Sequence, residues 1–141
     1  MQTKLINNSS SELIIFFTGW GCDDIQFQNM QSHRNILLIW DYSDLNLQFD
    51  FSHYKKNYLI AYSAGVFAAS LLQKKFPKLD KKVAINGNPL MFDDYYGIPA
   101  DIIKVFKNLN LSNYMDFRKK YIVINDEELC MDATSSFENS N

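Results

Sequence analysis

Four short apolar runs, each closed by a turn residue, constrain this chain more than any other feature. Leu13–Phe17 (LIIFF) runs into Thr18-Gly19-Trp20-Gly21, and Ile36–Trp40 (ILLIW) runs into Asp41. Tyr58–Tyr62 (YLIAY) runs into Ser63-Ala64-Gly65, and Val83–Asn86 (VAIN) into Gly87. Continuous apolar runs of this length, bounded by turn residues, predict strands buried on both faces, which is the habit of parallel α/β sheets. About 20–25 residues separate successive runs, enough for a helix or an ordered crossover. Lys4–Asn7 predicts a further strand at the sheet edge.

The clearest helix is expected from Ala64 to about Phe76. Val66, Phe67, Ala68, Ala69, Leu71 and Leu72 make it apolar on most sides, and Pro77 ends it. A second helix is expected from Pro99, with Ile102, Ile103, Phe106 and Leu109 at helical spacing. A third is expected from Ser112. Tyr121–Asn125 (YIVIN) reads either as a fifth strand or as the end of that helix. The predicted organisation is one α/β domain over 1–128, followed by a polar tail over 129–141 that reads as disordered.

Composition excludes several classes. The 141 residues are 47% hydrophobic and 15% aromatic, which is core material and not the make-up of a disordered or collagen-like chain. A net charge of −2 gives no global attraction to nucleic acid or to an anionic membrane. No apolar run approaches the roughly 18 residues of a membrane helix, and the first dozen residues lack the apolar core of a secretory signal. A cytoplasmic location is expected. Cys22 and Cys130 stand far apart and read as reduced thiols. Asp93-Asp94 has no histidine or further acidic cluster beside it, so no metal site is expected. Neither a P-loop nor a G-x-G-x-x-G run occurs.

Ser63 is the strongest candidate for chemistry. An apolar strand, a small-x-Ser-x-Gly turn and an apolar helix are the context of a nucleophile elbow, with Ala61 and Gly65 as the small neighbours. The competing reading is a serine that caps the following helix. Thr18-Gly19-Trp20-Gly21 follows an earlier strand, where hydrolases of this type place a second oxyanion donor; the plain alternative is a glycine-rich turn with a core tryptophan. The base is the difficulty. His33 and His53 both precede Ser63, and each reads as a surface or capping residue. Asp126 has a conceivable acid position, whereas Asp41 and Asp44 read as turn residues. The chain beyond Asn86 is also short for an acid-bearing strand, a histidine loop and a lid.

The ordered blocks FFTGWG, WDYSDL, IAYSAGVFAA, VAINGNP and FDDYYGIP together resemble the pimeloyl-[acyl-carrier protein] methyl ester esterases of the short type, an α/β-hydrolase family of biotin synthesis. The resemblance covers about residues 13–120, and that group carries alanine at the position of Ala61. It implies a partial α/β-hydrolase fold with a helical lid over about 90–120, opened by Phe92 to Pro99. It implies Ser63 as nucleophile, the backbone N–H groups of Trp20 and Ala64 as oxyanion donors, and no cofactor. It also implies an acyl carrier protein bearing a pimeloyl methyl ester as partner, met by Arg118, Lys119 and Lys120. The family continues past the lid into strands carrying the acid and the histidine, whereas here the match stops near Tyr121. The expectation is therefore a C-terminally shortened esterase. The alternatives are an inactive fragment or carrier-binding module, and a chain complemented by a separate C-terminal polypeptide.

Overall fold

The computed structural model of the protein describes residues 1–110, 112–114 and 116. The chain forms two compact units, Met1–Met91 and the part from Phe92 onward.

The first unit is a five-stranded sheet. Its strands are β1 (Gln2–Ile6), β2 (Glu12–Phe17), β3 (Asn35–Trp40), β4 (Lys56–Tyr62) and β5 (Lys81–Ile85), with α1 (Ala64–Leu71) between β4 and β5. The order across the sheet is β1-β3-β2-β4-β5. β2 pairs in parallel with both β3 and β4, and β4 in parallel with β5. β1 runs antiparallel to β3 and begins two residues earlier than the expected edge strand, with Gln2 opposite Trp40.

Alternation along the central strands divides the core. Leu13, Ile15 and Phe17 of β2, Leu37 and Ile39 of β3 and Ala61 of β4 face α1, whose Val66, Ala68 and Ala69 are buried against them. Phe16, Ile36 and Leu38 point to the other face with Ile14, Ile60 and Phe27. Phe17 anchors the first layer, stacking on Tyr42 at 6.1 Å and meeting Phe76 edge-on at 5.7 Å.

Three expectations change. α1 stops at Leu71, and the next turn tightens into a 3-10 turn over Gln73–Lys75. Phe76 is extended (φ −79°, ψ 148°), as the ring of Pro77 demands of its neighbour. The β2–β3 crossover holds only the 3-10 turn Ile25–Phe27, and the β3–β4 crossover has no helix. Finally, β5 is not buried on both faces. Among the described residues it is the outer strand, all five of its residues are exposed, and Val83 and Ile85 retain 38% and 45% of their accessible surface.

In the second unit, α2 (Ala100–Lys107) begins one residue after Pro99, whose carbonyl accepts the N–H of Ile102 at 3.0 Å. Asp94 accepts the Ala100 N–H at 2.8 Å, and Asp93 accepts those of Tyr95 and Tyr96. The acidic pair therefore shapes a turn and a helix start. Residues 112–114 are helical where the third helix was expected. Tyr121–Asn125 and the polar tail lie outside the described residues.

Candidate active site

The parallel arrangement of β2 to β5 brings four turns to one rim of the sheet. These follow Phe17, Trp40, Tyr62 and Ile85. Three of them begin with a non-glycine residue at positive φ: Asp41 (56°), Ser63 (52°) and Asn86 (48°). Aspartate and asparagine enter this region readily, whereas at Ser63 it costs about 1 kcal/mol or more, so the strain of the rim lies at the serine turn.

Ser63 sits between β4 and α1 with φ 52° and ψ −121°. By position it is the N-cap residue of α1, but its side chain makes no capping hydrogen bond. The backbone is held instead. Ser63 N–H donates to the Ile85 carbonyl at 2.9 Å, and Val66 N–H donates to the Ser63 carbonyl at 3.0 Å. The residue is half-buried, and Ala64 behind it is buried.

Three glycines allow this packing. A Cβ on Gly65 would lie 2.4 Å from the Thr18 carbonyl oxygen and 2.6 Å from that of Phe17. The first turn of α1 therefore rests directly on the end of β2. A Cβ on Gly87 would lie 2.4 Å from the Ser63 carbonyl oxygen, so the turn after β5 presses on the elbow from the other side. A Cβ on Gly19 would lie 3.5 Å from Cβ of Ser63, which places the turn after β2 beside the serine. That turn is closed by Cys22 N–H donating to the Gly19 carbonyl at 3.4 Å, with Gly21 at φ 73°. Trp20, between them, is half exposed.

The support beneath is polar and satisfied. Thr18 is fully buried, and its N–H donates to the Ile39 carbonyl at 3.0 Å. The Tyr42 hydroxyl donates to the Thr18 carbonyl at 2.8 Å and lies 3.2 Å from that of Ile39. Burial pushes the Tyr42 phenol well above its usual range. Burial likewise raises the Cys22 thiol, and the cysteine is free.

The histidines are elsewhere. His33 precedes β3 and His53 precedes β4, so both lie at the amino ends of parallel strands. β4 alone is seven residues long, which puts roughly 20 Å between that end and Ser63. Both are exposed, and His53 pairs with Asp50 at 3.3 Å. The same end carries an open cleft of about 350 Å³ whose lining includes Phe51, Tyr54, Asn57 and Asp80, away from the elbow. Asp41 and Asp44 stand on the Ser63 rim but are occupied as turn residues. Asp41 accepts the Ser43 N–H at 3.3 Å, and Asp44 holds the chain's amino terminus at 2.7 Å. Asp126, Cys130, Arg118, Lys119 and Lys120 lie outside the described residues. No group of metal-ligating side chains forms among the described residues, and none of their helices is long and apolar enough to cross a membrane.

Gly87 and Tyr62 are the rim residues that sequence reasoning missed. A glycine directly after a strand was the available signal for Gly87. For Tyr62 there was none, because its contact with Gly19 crosses from one strand end to another.

This architecture, a mostly parallel sheet with a strained serine turn on its carboxyl rim, defines an α/β protein. A lipase-esterase related protein from Clostridium acetobutylicum has the same fold, with TM-score 0.63 at 21% identity, covering 99% of this chain and 65% of that one. A family model described as pimeloyl-ACP methyl esterase BioG matches residues 1–135, and the chain belongs to that family. The crystal structure of BioG from Haemophilus influenzae superposes with TM-score 0.76 at 33% identity, covering 99% of this chain and 62% of that one. An uncharacterized protein of H. influenzae is 34% identical over 123 residues, and a malonyl-[acyl-carrier protein] O-methyltransferase of Bacteroides fragilis is 35% identical over 113. The chain spans 57% and 23% of those two relatives.

Proposed function

We propose that the chain is built as a serine carboxyl-ester hydrolase, with the methyl ester of a pimeloyl group on acyl carrier protein as substrate, a reaction of biotin synthesis. The observation that carries this reading is the backbone of Ser63. Its strained φ and ψ, its uncapped side chain and its place on the carboxyl rim beside the Gly19 turn are what a nucleophile elbow requires. In the reaction, Ser63 Oγ attacks the ester carbonyl. The backbone N–H groups of Ala64, at the start of α1, and of Trp20 receive the oxyanion. The methoxy group leaves as methanol, and water then cleaves the acyl-enzyme to release the free carboxylate. Arg118, Lys119 and Lys120 are the contacts that this reading offers the acidic carrier protein.

A second reading is favoured by one observation: both histidines of the chain stand at the opposite rim. The chain would then bind carrier protein without turnover, or act only with a separate polypeptide that brings the acid and base. Loss of the base removes several orders of magnitude from such a reaction.

Labelling of the full chain with a fluorophosphonate probe decides between them, with Ser63→Ala as control and methanol release from the methyl ester of pimeloyl carrier protein as the second readout. Labelling that disappears in the control supports the esterase. A folded protein that does not label, and regains methanol release only with an added partner, supports the second reading.

A further inference from the structure

We infer that Tyr62 is a positioning residue whose ring holds the Gly19–Cys22 turn in place beside Ser63; this rests on the reading of Ser63 given above. The argument begins with the two glycines of that turn. Gly21 lies at φ 73° with nothing within 4 Å of its missing Cβ, so backbone conformation explains it. Gly19 is the reverse case. It is buried and lies outside the positive-φ region, yet a Cβ there would meet Tyr62 Cε1 at 2.9 Å and Cδ1 at 3.0 Å. Glycine at 19 leaves room for the edge of the Tyr62 ring, which a Cβ there would displace.

The contact joins two strand ends. Tyr62 closes β4 immediately before the serine, and Gly19 opens the turn after β2, two residues beyond the Phe17–Ala61 register pair. The Gly19 carbonyl accepts the hydrogen bond from Cys22 N–H that closes the turn, so whatever fixes Gly19 fixes the first residue of the turn. Trp20 is the next residue, and its N–H is the proposed oxyanion donor. A displacement of about 1 Å at such a donor is enough to cost on the order of 100-fold in rate. The ring, and not the hydroxyl, supplies the contact.

The test is a double-mutant cycle on the full chain, read by the fluorophosphonate labelling rate of Ser63 and by amide hydrogen exchange of residues 18–22. Tyr62→Ala should slow labelling at least about 10-fold and speed exchange in 18–22 by a similar factor, with exchange in β2, β4 and α1 unchanged. Tyr62→Phe should retain both within about 3-fold, a rescue that only the ring explains. Gly19→Ala should also be defective, because its methyl group collides with the ring. In the double variant Gly19→Ala/Tyr62→Ala that collision is gone, so it should be no worse than Tyr62→Ala alone. Independent, multiplying effects of the two substitutions, or unchanged exchange in Tyr62→Ala, would overturn the assignment. A wild-type chain that does not label would count against Ser63 as an activated nucleophile, and the exchange cycle would still decide the role of Tyr62.

Discussion

Gly65→Ala is the most direct test of how the serine turn is built. The added Cβ would lie 2.4 Å from the Thr18 oxygen, 2.6 Å from the Phe17 oxygen and 2.8 Å from the Phe17 carbonyl carbon. An ordinary carbon–oxygen contact is about 3.3 Å, so the shortfall is about 1 Å. All three atoms are backbone and cannot rotate aside. β2 cannot yield either, because it is paired on both sides and Thr18 N–H is bonded across to Ile39. The first turn of α1 must lift off the sheet. Overpacking of this kind costs about 1–3 kcal/mol, and the pinned backbone places it at the upper end. Alanine returns up to about 1 kcal/mol through its better helix propensity, leaving a net loss of about 2 kcal/mol. For a chain of this size the melting temperature should fall by roughly 5–10 °C. Urea unfolding should show a lower midpoint at an unchanged slope. Because the cause is lack of room, Gly65→Val should be worse than Gly65→Ala. At Gly21, where conformation is the cause, alanine and leucine should cost the same. A Gly65→Ala protein as stable as wild type, or no dependence on side-chain size at position 65, would refute the reasoning.

Further expectations concern the rim and the strand edge. Tyr42→Phe removes the hydroxyl bonded to the Thr18 carbonyl and should cost about 1 kcal/mol in urea unfolding, since the Thr18 N–H bond to Ile39 remains. Ser63→Gly should melt above Ser63→Ala by the equivalent of about 1 kcal/mol, because only glycine relieves the positive φ; equal melting points would argue against strain at the elbow. The hydrogen bond from Arg34, with that from Tyr58, holds the Glu12 carboxyl below the usual glutamate range. A depressed folded pKa gives stability that is present above about pH 4.3, the unfolded value, and is lost as pH falls through the folded one. Glu12→Gln should therefore flatten the acid limb of the stability curve below that pH, followed by urea midpoints, and an unchanged limb would refute the pairing.

The strand–serine turn–helix unit was legible in the sequence because its requirements are local. Ala61, Ser63 and Gly65 lie within five positions at the end of an apolar run, and the Gly19 turn follows its own strand in the same way. The contacts among these turns were not legible, since they depend on which strands become neighbours. That β2 lies between β3 and β4 is a property of the crossovers, and it is what sets Tyr62 on Gly19 and Gly65 on Thr18. Apolar runs were good predictors of strands but poor predictors of burial. VAIN reads like LIIFF, yet among the described residues β5 is the outer strand and its side chains stay exposed, whereas Leu13, Ile15 and Phe17 are fully buried. Reading Ala64 to Phe76 as one helix failed at Leu71, where the chain tightens in order to enter Pro77 extended. The histidines were read as surface residues from their place in the chain, and the strand direction supplies the physical reason.

Among the described residues the sheet ends on a parallel strand, β5, and a parallel edge is open to growth. Crossovers between parallel strands in one sheet are almost always right-handed, so any strand laid beside β5 in the same direction would end on the rim that carries Ser63. Its following turn would sit next to Asn86-Gly87, the turn already pressed against the serine carbonyl. New side chains could thus be delivered to the serine one βα module at a time, with no change to the strands that hold it. The strained serine turn is thus independent of what is added beside β5, and that edge is where descendants of such a scaffold can acquire new chemistry.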